Sequence, residues 1–259
     1  MDLPGELDGV AIGFGTGAAG VRPGRPSLVC IHGTGGSRAT WRFQLEGLEG
    51  AMNVAAPDLP GHGRTPGPVL SSVAALAEWT ARVLETWNLP APVVLAGHSL
   101  GGAVALETAL RRPDLLGGLI LLATGARLAV NPVLFEGLEK DFAGTVGLIG
   151  QWAVARSADP AVVRELGELM AANPPATLIT DFRACDEFDR RPDLGRLDLP
   201  VLIVCGEKDK MTPLTLSEFL KENIRGSRLA VIPEAGHYVM NEKPAQVNQA
   251  VLEFVLGLG

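Results

Sequence analysis

"VVLAGHSLGGAVALE", residues 93–107, runs from a block of aliphatics through a glycine-flanked serine into a stretch with helical spacing. Two readings compete for Ser99. It is a nucleophile on a strained strand-to-helix turn, or a small residue that lets a buried strand pass into a helix. With 32 glycines in 259 residues, a serine with Gly two before and two after arises by chance often enough that the motif alone decides nothing. The surrounding pattern has to decide.

Working outward, short aliphatic blocks recur at 27–31 ("SLVCI"), 52–58 ("MNVAAPD"), 92–97 ("PVVLAG"), 117–124 ("GGLILLAT"), 200–206 ("PVLIVCG") and 227–233 ("SRLAVIP"). Runs apolar on both faces suit strands of a parallel sheet covered by helices on each side. Segments 38–49, 72–88, 100–111, 215–224 and 244–256 supply those helices, several with Ser, Thr or Pro near their start. Alternating strands and helices predict an α/β fold with a mostly parallel central sheet and right-handed crossovers. The rhythm breaks at 125–195, which holds several amphipathic segments and no convincing strand. The expected division is therefore a core of 1–124 and 196–259 with a helical cap over 125–195 inserted between two strands. The first 26 residues, rich in glycine, predict at most a short hairpin.

A composition of 47% hydrophobic and 20% charged residues is that of a globular domain with a large core. The net charge of -7 argues against nucleic acid or an anionic membrane surface as partner. The N-terminus "MDLPGELDGVAIGFG" carries acids where a signal peptide has basic residues, and no run approaches a membrane span. A cytoplasmic protein is expected. Cys30, Cys185 and Cys205 are odd in number and read as reduced thiols of the core.

In this layout Ser99 lies at the carboxyl end of a middle strand, where ligands meet an open parallel sheet. Gly97 and Gly101 remove side chains that a sharp turn would crowd, and Gly102 and Ala103 let the helix approach the sheet. A serine hydroxyl needs a base. His98 is adjacent, but neighbouring side chains on a tight turn diverge. His32 and His62 sit in glycine-dense loops and read as structural. His237, after the last strand in "VIPEAGHYVM", returns to the same sheet edge and is the chosen base. Its carboxylate partner is Asp209, directly after "VLIVCGEK"; Glu207 is a weaker rival, and Asp198 lies at the wrong end of the strand. An oxyanion needs preorganised donors, for which the backbone N–H groups of Leu100 and of Thr34 in "HGTGG" are the candidates.

The ordered motifs "HGTGGS", "DLPGHGRT", "GHSLGG", "GEKDKMTP" and "AGHYVM" resemble those of the α/β-hydrolase fold superfamily, in its capped esterase-like branch. The likeness runs from about residue 8 to 257. It implies Ser99 as nucleophile, Asp209 as acid and His237 as base, with the Thr34 and Leu100 amides as oxyanion hole. It also implies that Asp58 and the "GHG" turn are structural.

Haloalkane dehalogenases and epoxide hydrolases resemble this architecture but place an aspartate at the nucleophile position, and hydrolases of carbon–carbon bonds usually carry Asn where this chain has His98. A carboxylesterase acting on a small, moderately hydrophobic ester is therefore expected, with no metal or organic cofactor. An enol-lactonase or carbon–carbon bond hydrolase is the enzymatic alternative, although a dianionic lactone would call for buried arginines, and only Arg156 and Arg183 offer themselves. A ligand receptor that keeps the triad but turns over slowly is the alternative from another class. Trp152, Phe135, Phe142, Met211 and Tyr238 are the candidate substrate-contacting residues. The expected partner is a small-molecule ester, and a homodimer stays open.

Overall fold

The computed structural model describes residues 2–258. A hairpin of β1 (Glu6–Leu7) and β2 (Val10–Ala11) precedes β3 (Phe14–Thr16), β4 (Ser27–Ile31), α1 (Arg42–Leu48), β5 (Asn53–Pro57), α2 (Val73–Trp87), β6 (Val93–His98), α3 (Leu100–Arg111) and β7 (Gly118–Leu122). Then come α4 (Pro132–Lys140), α5 (Phe142–Trp152), α6 (Pro160–Ala171) and α7 (Pro175–Asp186), before β8 (Val201–Gly206), α8 (Leu214–Asn223), β9 (Arg228–Ile232), α9 (Val239–Glu242) and α10 (Pro244–Leu256). All six expected strands and all five expected helices are present, with ends shifted by a residue or two; the segment expected as helix from 38 begins with a 3-10 turn over Arg38–Trp41.

The main sheet has the order β3-β5-β4-β6-β7-β8-β9, parallel except where β3 pairs antiparallel with β5. Alternate residues of the fully buried strands enter different apolar clusters. Val29, Ile31, Leu95 and Leu121 join the cluster that holds α2 and α3, whereas Leu28, Cys30, Val94 and Ile120 join Val247, Val251 and Phe254 of α10. Continuous apolar runs are what a two-sided parallel sheet demands. The strand order reverses between β4 and β6, so the loops leaving these two strands open a crevice at their carboxyl ends. Among the described residues no helix is long and apolar enough to cross a membrane.

The N-terminal region holds more than the expected hairpin. The hairpin turns at Asp8 and Gly9, both at positive φ, and the additional β3 pairs Phe14 with Pro57 and Thr16 with Ala55. Three residues flanked by glycines carry no periodic signal. The glycines there serve close packing, since a Cβ on Gly13 would press on Arg64 and Asp58 at 2.6 Å.

Helices α4 to α7 form a small apolar cluster of their own, with Leu138, Ile149, Met170, Leu178 and Phe182 at its centre. Two of them start on a side-chain cap followed by proline: Asn131 accepts from Val133 N–H before Pro132, and Asp159 from Ala161 N–H before Pro160. Arg190, just beyond α7, ties this segment to α3 through Glu107, whose Oε1 it reaches at 2.9 Å.

Candidate active site

Ser99 adopts a φ of 54° and a ψ of -116°, a conformation that costs a non-glycine residue about 1–3 kcal/mol. The surroundings over-determine it. Its N–H donates to Leu122 O at 3.0 Å, and its carbonyl accepts from Thr124 Oγ1 at 2.8 Å. A Cβ on Gly97 would collide with the Gly101 carbonyl, and one on Gly101 with the carbonyls of Ile31 and His32. The turn thus exists only with glycine at both positions, and it presents the serine side chain at the β4/β6 crevice.

Asp209 follows β8 and His237 follows β9. Their side chains meet with His237 Nδ1 2.9 Å from Asp209 Oδ2, and both residues are buried. Asp209 Oδ1 accepts the N–H groups of Met211 and Thr212 at 2.8 and 2.9 Å, and its Oδ2 accepts the Thr212 hydroxyl at 2.7 Å. Thr212 Oγ1 also lies 3.1 Å from His237 Nδ1. Because Thr212 spends its proton on the carboxylate, Nδ1 is the donor toward both, which makes Nε2 the ring nitrogen available to exchange a proton. Burial pushes the Asp209 carboxyl up, but the charge and hydrogen bond of His237 and the Thr212 donors outweigh it and hold Asp209 below its ordinary value.

The His237 loop is fastened from outside the sheet. His237 N–H donates to Ala153 O at 2.9 Å, and Glu242 accepts the N–H groups of both Gly236 and Ala155. His98 is not a base. Burial, then the neighbouring His237 charge, drive its pKa well below the ordinary histidine value, and its Nε2 lies 3.0 Å from the His237 carbonyl, to which it donates. The ring therefore braces the His237 backbone, a role that its adjacency to Ser99 does not announce.

Glu207 is exposed and pairs with Lys208, and Asp198 pairs with Arg225 far out in solvent. Neither faces His237. Within the described residues, the N–H groups of Thr34 and Leu100 donate no hydrogen bond, and no hydrogen bond joins Ser99 Oγ to His237 Nε2. All three of Ser99, His237 and Thr34 line one cavity of about 320 Å³.

Of the residues expected to touch substrate, Trp152, Met211 and Tyr238 line that cavity, with Trp152 still 45% exposed. Phe135 and Phe142 are not among its lining residues. Both pack, half-buried, against the inter-helix cluster, because an aromatic on an amphipathic helix is drawn first to its neighbouring helices. Leu134, Ile149, Met170 and Phe182 supply apolar wall that the sequence did not single out from the packing of α4 to α7 against one another. Lys210 and Asn131, both exposed, add polar groups to the lining, whereas Arg156 and Arg183 are exposed and off it. Thr212 was also missed; its signal was a hydroxyl three residues after an aspartate at a strand end. Cys30, Cys185 and Cys205 are free and buried, and burial pushes the Cys185 thiol up to about 12.

A profile described as "Alpha/beta hydrolase family" matches residues 28–250. Pimeloyl-[acyl-carrier protein] methyl ester esterase of Neisseria meningitidis serogroup B is 34% identical over 221 residues, 80% of this chain and 84% of that protein. A solved thermophilic esterase superposes with a TM-score of 0.87 at 34% identity, covering 98% of this chain and 96% of that one. A thermophilic esterase from Thermogutta terrifontis, solved with malate bound, gives 0.85 at 27% identity over 96% and 94% of the two chains.

Proposed function

The chain belongs to the alpha/beta hydrolase family, and from that premise we propose that it is a serine carboxylesterase acting on small, moderately hydrophobic esters. The observation that carries this reading is the 2.9 Å pairing of His237 with a buried Asp209, on the wall of the same cavity as a strained Ser99. The kinship with enzymes named as esterases supports ester cleavage as the reaction.

In the reading, Ser99 Oγ attacks the ester carbonyl carbon while His237 Nε2 takes its proton. The carbonyl oxygen gains the negative charge and accepts the N–H groups of Thr34 and Leu100, which have no other partner to surrender. The C–O bond to the alcohol then breaks, and His237 returns the proton to the leaving oxygen. Water repeats the sequence on the acyl-enzyme and frees the acid. Segment 125–195 acts as the cap that walls the acyl site with apolar side chains and keeps bulk water from it. That wall favours a neutral acyl chain, and a dianionic lactone would find Lys210 but neither Arg156 nor Arg183.

The test is a panel of aryl and methyl esters, thioesters and lactones of graded acyl length, run beside Ser99→Ala. The reading expects steady turnover of esters by the native protein and none by the variant. A single burst that labels Ser99 without a steady rate would instead favour a slow receptor.

A further inference from the structure

Gly35, the residue after Thr34, is gripped on both sides by the segment between β7 and β8. Its N–H donates to Asp181 Oδ2 of α7 at 2.9 Å, and its carbonyl accepts from Asn173 Nδ2 at 2.8 Å. Its φ is 61°, a left-handed conformation that glycine alone holds without strain, and an added Cβ would press on Leu178 and Met170 at 3.2 Å. The loop that carries the Thr34 amide is thus set by side chains more than a hundred residues away in sequence.

Asp181 is buried, and its Oδ2 also lies 3.0 Å from His62 Nε2. The other ring nitrogen of His62, Nδ1, faces the Pro60 carbonyl at 3.2 Å. A carbonyl only accepts, and an ionised carboxylate only accepts, so both nitrogens of His62 must carry protons. The neighbouring His32, 5.1 Å away between ring centroids, is the opposite case. Its Nε2 accepts the Leu59 N–H at 3.0 Å, and its Nδ1 donates to Gly33 O at 2.9 Å, which makes it a neutral ring. Among the described residues Asp181 Oδ1 is buried with no partner, so the carboxylate depends on the two donors at Oδ2.

The geometry points to Asp181 and protonated His62 as a positioning pair that holds Gly35, and with it the Thr34 amide, in the conformation that receives the oxyanion. When His62 loses its proton, one of its two acceptors is left facing a lone pair, Asp181 loses a charged donor, and the grip on Gly35 loosens. This use of the pair rests on the serine-esterase reading above. The groups that bear on His62 are Asp181, with Cys185 beside it on α7, His32 at the end of β4, and Asp58 after β5. Asp58 is itself committed to Arg38 and to the N–H groups of Arg38 and Arg64. Burial opposes charging His62, but Asp181, Pro60 and Asp58 together raise its pKa above 6.5. The His32 pKa, by contrast, is lowered to about 3 by burial and by the His62 charge.

The experiment follows the His62 imidazole by NMR across pH and, in parallel, the kcat–pH profile on p-nitrophenyl butyrate, for the native protein, Asp181→Asn and His62→Gln. The native ring should titrate above 6.5, with kcat falling at the same midpoint on the alkaline side. In Asp181→Asn the titration should drop by about one unit or more and the alkaline limb with it, while kcat at neutral pH falls about tenfold and KM stays within about twofold, because the lost interaction belongs to the transition state. His62→Gln keeps a donor toward Asp181 but has nothing to titrate, so the alkaline limb should vanish. The proposal is overturned if the His62 titration moves in Asp181→Asn while the kcat–pH profile stays on the native curve, if KM takes the whole effect, or if His62→Gln retains the limb. Failure of the esterase reading shows separately, as undiminished turnover by Ser99→Ala.

Discussion

Asp209 and His237 arrive from the ends of adjacent parallel strands, β8 and β9, and meet at 2.9 Å in a pocket from which solvent is nearly excluded. The carboxylate fixes which ring nitrogen is protonated, and so fixes Nε2 as the basic one. Asp209→Asn keeps the size of the side chain but can present an amide donor to Nδ1, which favours the wrong tautomer. We expect kcat to fall by about 10⁴ with the fold retained, as such a change does where an aspartate orients a catalytic histidine. Steady-state kinetics beside circular dichroism check it, and a loss under tenfold would remove Asp209 from the role.

Thr212 bridges the pair, donating to Asp209 at 2.7 Å and lying 3.1 Å from His237 Nδ1. Thr212→Val removes the hydroxyl at nearly constant volume and leaves one carboxylate lone pair unmet, a cost of about 1–3 kcal/mol. Thermal unfolding should register that loss, and kcat should fall by about tenfold with KM little changed. An unchanged melting temperature together with an unchanged kcat would contradict the bridge.

Stability should fall on the acid side of neutrality. His32, with a folded pKa near 3, and His98, with one well below 6.5, are neutral in the folded state but charge in the unfolded chain below 6.5. Between that pH and the folded values each subtracts about 1.4 kcal/mol per pH unit. His62 has the opposite sign: its raised pKa adds stability fully present below 6.5 and lost as pH rises through the folded value. Asp209, held low, contributes above its unfolded 3.8 and gives that up as pH falls through its folded value. Urea midpoints between pH 4 and 8 should therefore fall toward acid, and His32→Gln should flatten the slope; a native midpoint that is level from 7 to 4 would be inconsistent with two buried neutral rings.

The turn itself makes a sharper demand. A methyl group on Gly101 would be driven into the carbonyls of Ile31 and His32, which belong to the central strand and its following loop and cannot move without shifting the sheet. Gly101→Ala should cost at least about 3 kcal/mol, the upper range for forced overpacking. Denaturant unfolding measures it, and a change below about 1 kcal/mol would show the β6–α3 turn to be looser than described.

Much of this arrangement was legible in the chain. Two-sided apolar runs announce the central strands that Ser99 and Asp209 follow, and His237 follows the shorter run of the edge strand β9, so their convergence on one edge could be read from order alone. The β3 strand was not legible, since its three residues are held by close packing of glycines and not by an alternating pattern. The clamp on Gly35 was not either. Asp181 and Asn173 sit on or beside amphipathic helices, where a polar residue reads as solvated until the partner, here 146 residues away in sequence for Asp181, is known. The aromatics divide for a related reason: Phe135 and Phe142 belong to the packing of helices against one another, while Trp152 at the end of α5 reaches the cavity.

The most direct measurement is covalent labelling by a fluorophosphonate, which forms a bond from phosphorus to an activated serine oxygen and releases fluoride. The account predicts one label per chain, mapped by mass spectrometry to Ser99, with ester turnover lost in proportion to labelling and both absent in Ser99→Ala. A label on any other residue, or full turnover by Ser99→Ala, would contradict it.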